Sequence, residues 1–204
     1  ITVIFSGEGA DEASGSYMYF HNAPSKRDFY HETVRLMRDL HNFDVLRCDK
    51  SSASAGLEIR VPFLDKEFLD YYLGIDPKFK MPQNYSMEKY LLRKAFDNNL
   101  LPKEVLWRMK EAMSDGVSSQ KRGWFQIIQE YVENKITDEE MLDSKNKYEK
   151  NVPQFKEALY YRKLFNKYFD RDDIIPYYWL PRWSGDVKDP SARVLNVYNA
   201  NKSG

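Results

Sequence analysis

ITVIFSGEGADEASGSYMY, residues 1–19, is the stretch from which the fold is read. Its first five residues are apolar and largely β-branched, a composition suited to a strand covered on both faces. The run breaks into Ser6-Gly7-Glu8-Gly9-Ala10-Asp11-Glu12, which sets two glycines and three carboxylates just past the strand's carboxyl end. In open parallel sheets that edge is where ligands bind. Glycines let backbone N–H groups approach a bound group, and carboxylates there hold a metal or move a proton. An acidic surface turn is the plainer alternative, but a turn does not need three acids packed between glycines.

Outward from this stretch the chain reads as mostly helical. His21-Asn22-Ala23-Pro24 ends the first segment, and Ser25 is placed to cap a helix over Lys26–Cys48 that is interrupted near His41-Asn42. Ser51–Gly56 reads as a loop or weak helix start. Leu57–Asp65 alternates polar and apolar residues and meets Pro62, so it is extended, and Asp65 caps a helix over Lys66–Leu73. Helical spacing follows over Met87–Asn98, Lys103–Trp107, Trp124–Asn134 and Phe155–Phe169. Thr137 opens a further helix with acids in its first turn. Arg108–Val117, charged around an Asp-Gly pair, reads as a loop. The expectation is a chain with one strand-like run, the remaining strands of a parallel sheet lying upstream.

Totals narrow the function classes. The 204 residues carry 31 basic and 31 acidic side chains, so no overall field favours nucleic acid or an anionic membrane. The 15 Tyr and 12 Phe supply large groups for packing between helices, and no basic groove accompanies them as a base-stacking platform would require. No apolar run reaches the roughly 18 residues of a membrane span. Cys48 is the only cysteine, which excludes an internal disulfide and fits a reducing, cytoplasmic compartment. His21, His31 and His41 lack metal-ligand spacing.

Six segments, in order, resemble the glutamine-dependent asparagine synthetase family: SGEGADE (6–12), YFHNAP (19–24), GLEIRVPFLD (56–65), MEKYLLRKAF (87–96), RMKEAMSDGV (108–117) and DPSAR (189–193). The resemblance implies an α/β parent fold, a parallel sheet wrapped by helices as in the pyrophosphate-loop ATP pyrophosphatases. Residues 1–204 would be the C-terminal part of the synthetase domain. The implied reaction uses ATP and Mg²⁺ to convert aspartate to a β-aspartyl-adenylate, which ammonia from glutamine attacks. Carried over by position, Ser6 and Gly7 contact ATP, Glu8 takes a proton from incoming ammonia, and Asp11 helps hold magnesium on pyrophosphate. Lys110 faces the phosphates. Asp44 and Arg47 match polar positions of the same cavity, or form a structural helix pair at three-residue spacing. Arg60 is read as a buried turn contact, Asp65 as a cap.

Departures accompany the resemblance. Ser16 stands where the family has a glycine, and neither a Ser-Gly-Gly-x-Asp-Ser pyrophosphate loop nor an N-terminal glutamine-hydrolysing cysteine occurs in these residues. The expectation is therefore a fragment, inactive alone, whose partners are the missing N-terminal part and, in the whole enzyme, a homodimer mate. The alternatives are a β-lactam- or peptide-cyclising relative and a non-catalytic interaction module.

Overall fold

A computed structural model describes residues 2–119 and 121–197. Within them the chain forms two compact units. Of the described residues, 2–110, 182–185 and 195–197 make up the first, and the rest make up the second.

In the first unit, β1 (Val3–Phe5) leads into α1 (Ala10–Ser14) and a 3₁₀ turn, Met18–Asn22. Then come α2 (Lys26–Asp39), α3 (Asp44–Ser54), β2 (Glu58–Arg60), α4 (Lys66–Gly74), α5 (Tyr90–Ala95) and α6 (Lys103–Leu106). The local signals act as expected. Ser25 Oγ accepts the Asp28 amide at 3.2 Å and Asp65 Oδ1 the Phe68 amide at 3.0 Å, each satisfying an orphan donor of a first turn. The expected break near His41 is a 3₁₀ turn over Leu40–Asn42 that separates α2 from α3, and α3 runs on to Ser54 instead of loosening at Ser51.

β2 corrects the expectation of a single strand. It pairs in parallel with β1, Ile4 opposite Ile59, making a two-stranded sheet. Burial of β1 is corrected too: Val3 is 40%, Ile4 38% and Phe5 76% exposed. β-Branched composition identified the strand, but among the described residues this sheet has two strands and leaves those side chains uncovered. Arg60 is exposed, its guanidinium 2.6 Å from Glu58, and makes no buried turn contact. The core lies behind the loop after β1, where Ala13, Tyr19, Phe20, Phe29 and Leu36 are buried and the Phe20 and Phe29 rings meet edge-on at 5.1 Å.

The second unit holds α7 (Met113–Gly116), a short helix inside the stretch read as a loop, followed by α8 (Trp124–Glu133), α9 (Asp138–Lys147) and α10 (Lys156–Tyr168). Thr137 and Glu140 cap α9 reciprocally, at 3.1 and 3.0 Å. Ile136, Tyr148 and Leu159 form its core. Among the described residues no helix is long and apolar enough to cross a membrane.

Candidate active site

The loop after β1 has a shape only glycine permits at two positions. Gly9 sits at φ +85°, and a Cβ there would fall 2.1 Å from Leu64 Cδ2. Gly15 ends α1 at φ +58°, where a Cβ would meet the Phe29 ring at 2.3 Å. Between them α1 carries Asp11 and Glu12 in its first turn. Gly7 differs, because a Cβ there would meet nothing within 4 Å. Ser16 fits its place: its amide donates to the Asp11 carbonyl at 2.9 Å and its buried hydroxyl to Asp11 Oδ1 at 2.5 Å.

Asp11 is the hub. Lys110, ninety-nine residues away in sequence, places its ammonium 3.0 Å from Oδ2, and Lys89 pairs with Oδ1. Burial pushes this carboxyl up, but Lys110 and Lys89 outweigh burial and hold it below the ordinary aspartate value. Lys89 starts α5 at φ +57°, a left-handed backbone uncommon outside glycine that aims its side chain at Asp11. One carboxylate between two ammonium groups leaves one surplus positive charge.

Glu8 stands on the acidic side of the same loop. Burial raises its proton affinity, the nearby Asp44 raises it further, the Arg47 guanidinium opposes this, and Asp11 adds a smaller push upward. Asp44 and Arg47 do pair along α3, at 2.6 Å. Asp44 also takes part in a second contact, since the Tyr17 hydroxyl lies 2.8 Å from its Oδ2 and 2.5 Å from Glu12 Oε1. A hydroxyl has one proton to give, so this trio closes only if one carboxyl is itself protonated. Glu12 is buried, and that burial raises its proton affinity against the bond from Tyr17. Ser6 bonds the Arg60 carbonyl through its amide at 2.8 Å, and its hydroxyl faces the Glu8 amide at 3.4 Å.

Of the positions singled out in sequence, Ser6, Gly7 and Glu8 thus lie on the loop after β1 and Asp11 in the first turn of α1 that follows it. Lys110 meets it at Asp11, and Asp44 and Arg47 act electrostatically on Glu8. Sequence reasoning missed Lys89, whose motif MEKYLLRKAF was noted without assigning the lysine, and Tyr17, which looked like one of many core aromatics. His21 is bonded to buried Glu88 at 2.6 Å.

A family model for asparagine synthase matches residues 23–184. The chain belongs to the asparagine synthase family. Among curated relatives it is 51% identical over 200 residues to the glutamine-hydrolysing asparagine synthetase of Bos taurus, 50% to that of Homo sapiens and 49% to that of Gallus gallus. Each alignment covers 97% of this chain and 35% of the relative, so the chain spans about a third of their length.

Proposed function

We propose that this chain supplies part of the synthetase centre of an ATP-dependent, glutamine-hydrolysing asparagine synthetase, with Asp11, Lys110, Lys89 and Glu8 as its working groups. The observation that carries the reading is the Asp11 carboxylate held between two lysines beside a carboxylate of raised proton affinity. The family match and the identity to named synthetases support it.

In the reaction, a β-carboxylate oxygen of aspartate attacks the α-phosphorus of ATP and pyrophosphate leaves. Ammonia then attacks the activated carbonyl, AMP departs with that oxygen, and the nitrogen loses its proton. Lys110 and Lys89 offer compact positive charge to the departing pyrophosphate, which lowers the barrier because the charges are placed before the reaction. Glu8 takes the proton from nitrogen, a role its raised affinity suits. Gly7 and Ser6 present backbone and hydroxyl to the nucleotide, Gly7 with room beside its Cα.

In the proposed reaction magnesium would enter with the phosphates of the nucleotide. Among the described residues no three His, Cys, Asp or Glu gather as a metal cage. Asp11 has both oxygens engaged by Lys89, Lys110 and Ser16, so it would take Mg²⁺ only in exchange for a lysine, with phosphate oxygens and water completing the shell. The ion would neutralise phosphate charge.

The site holds no pyrophosphate loop from these residues, so the test uses the full-length protein carrying this chain. Aspartate labelled with ¹⁸O in its β-carboxyl, incubated with ATP, Mg²⁺ and ammonium, should give asparagine and AMP bearing one label. Formation of ADP and labelled phosphate, or no asparagine, contradicts the reading.

A further inference from the structure

Trp183 lies outside the cluster around Asp11, yet its backbone, like that of Lys89, is left-handed. It sits at φ +55°, a left-handed conformation that bulky side chains rarely adopt and that persists only where surroundings over-determine it. The surroundings are specific. The indole lies 6.0 Å from the Tyr19 ring and 6.0 Å from Phe20, the latter edge-on, and its carbonyl accepts from Asn22 Nδ2 at 3.1 Å. Next to it, Arg182 Nε donates to Glu32 at 3.0 Å. Glu32 is fully buried and also accepts the Tyr19 hydroxyl at 2.7 Å and the Arg35 guanidinium at 2.5 Å. Two consecutive residues from the far end of the sequence therefore grip Tyr19 at both ends, the ring directly and the hydroxyl through a shared carboxylate.

Tyr19 passes this on. Its ring stacks on Tyr17, centroids 6.2 Å apart and planes within 12°, and Tyr17 reaches Glu12 and Asp44. We propose that Arg182 and Trp183 form a latch that fixes the Met18–Asn22 turn and thereby positions Tyr17 against Asp44, an assignment that rests on the catalytic reading given above. Arg182, Trp183 and Tyr17 are positioning residues. A latch that acts through Tyr17 should matter only while Tyr17 can hold Asp44.

A double-mutant cycle in the full-length protein tests this. Trp183→Ala should lower kcat for asparagine formation at least tenfold when Tyr17 is intact. In a Tyr17→Phe background the same change should lower kcat less than twofold, and Trp183→Phe should retain most activity in both. Equal losses in the two backgrounds overturn the latch, because they mark a general loss of folded enzyme. Should Trp183→Ala not fold, Arg182→Met, which cuts only the exposed ionic arm, takes its place in the cycle under the same criteria. Amide exchange separates this proposal from the catalytic one. The Ser16 and Phe20 amides, bonded to the carbonyls of Asp11 and Tyr17, should exchange at least tenfold faster in the latch variant. Unchanged exchange overturns the latch even if the enzyme is active, whereas a wild-type protein that makes no asparagine removes the catalytic reading and leaves exchange to decide the latch.

Discussion

The Lys110 ammonium stands 3.0 Å from Asp11 Oδ2 while Lys89 holds the other oxygen of the same carboxylate, so the segment after α6 and the start of α5 converge on the first turn of α1 through a single side chain. With the side chains of Lys89, Lys110 and Asp11 all only partly exposed, screening by water is incomplete, and Glu88, which also acts on Lys110, offsets part of the trio's surplus charge.

If that surplus serves the departing pyrophosphate, each lysine should count in the transition state more than in substrate binding. Lys110→Ala and Lys89→Ala should each lower kcat for aspartate-dependent pyrophosphate release by about 10²–10³, the usual effect of deleting one preorganised stabilising group. Steady-state kinetics check this. A rise confined to the KM for ATP would show ground-state binding only.

Two glycines of one loop should answer differently to alanine. Gly9→Ala forces a Cβ into Leu64 at a left-handed backbone, and strain plus overpacking should cost about 2–5 kcal/mol, or about 5–15 °C in melting temperature. Gly7→Ala meets open space, so its melting temperature should match wild type while the KM for ATP rises. Calorimetry on both variants, with kinetics on the second, decides between them.

Lys80 gives a pH signature away from the site. It is buried, and its ammonium caps α4 by donating to the carbonyls of Tyr72 at 2.9 Å and Leu73 at 3.4 Å. Burial nevertheless pushes it from 10.5 down to about 8. Between those values the unfolded chain binds the extra proton, so stability rises with pH across that window. Denaturant titrations should show wild type gaining on the order of 2–3 kcal/mol over Lys80→Met between pH 8 and pH 10.5. Parallel pH profiles for the two proteins would contradict this.

What could be read from sequence was largely local. The caps at Ser25, Asp65 and Thr137 depend on neighbours three residues away, and the acidic glycine loop gathers its two glycines and three carboxylates within seven residues. Lys110 entered only through the family resemblance, because nothing in its own surroundings says that it faces Asp11. Lys89 and Tyr17 were hidden for the same reason: a left-handed start to a helix and a hydroxyl shared by two carboxylates are tertiary facts. The β1 side chains show the converse. Composition names the strand, yet exposure depends on what packs over it, and a two-stranded sheet covers little. Ser16 seemed a departure from the family and proves to be a ligand of Asp11's own carboxylate oxygen, a contact a glycine cannot make.

Glu8→Gln in the full-length protein tests the centre most directly, because it keeps the side chain's shape and removes only its ability to take a proton. The rate of asparagine formation from aspartate, ATP and ammonium should fall about 10²–10⁴-fold while circular dichroism and melting temperature stay at wild-type values. Asparagine formation at the wild-type rate would contradict the assignment of Glu8 as the proton acceptor.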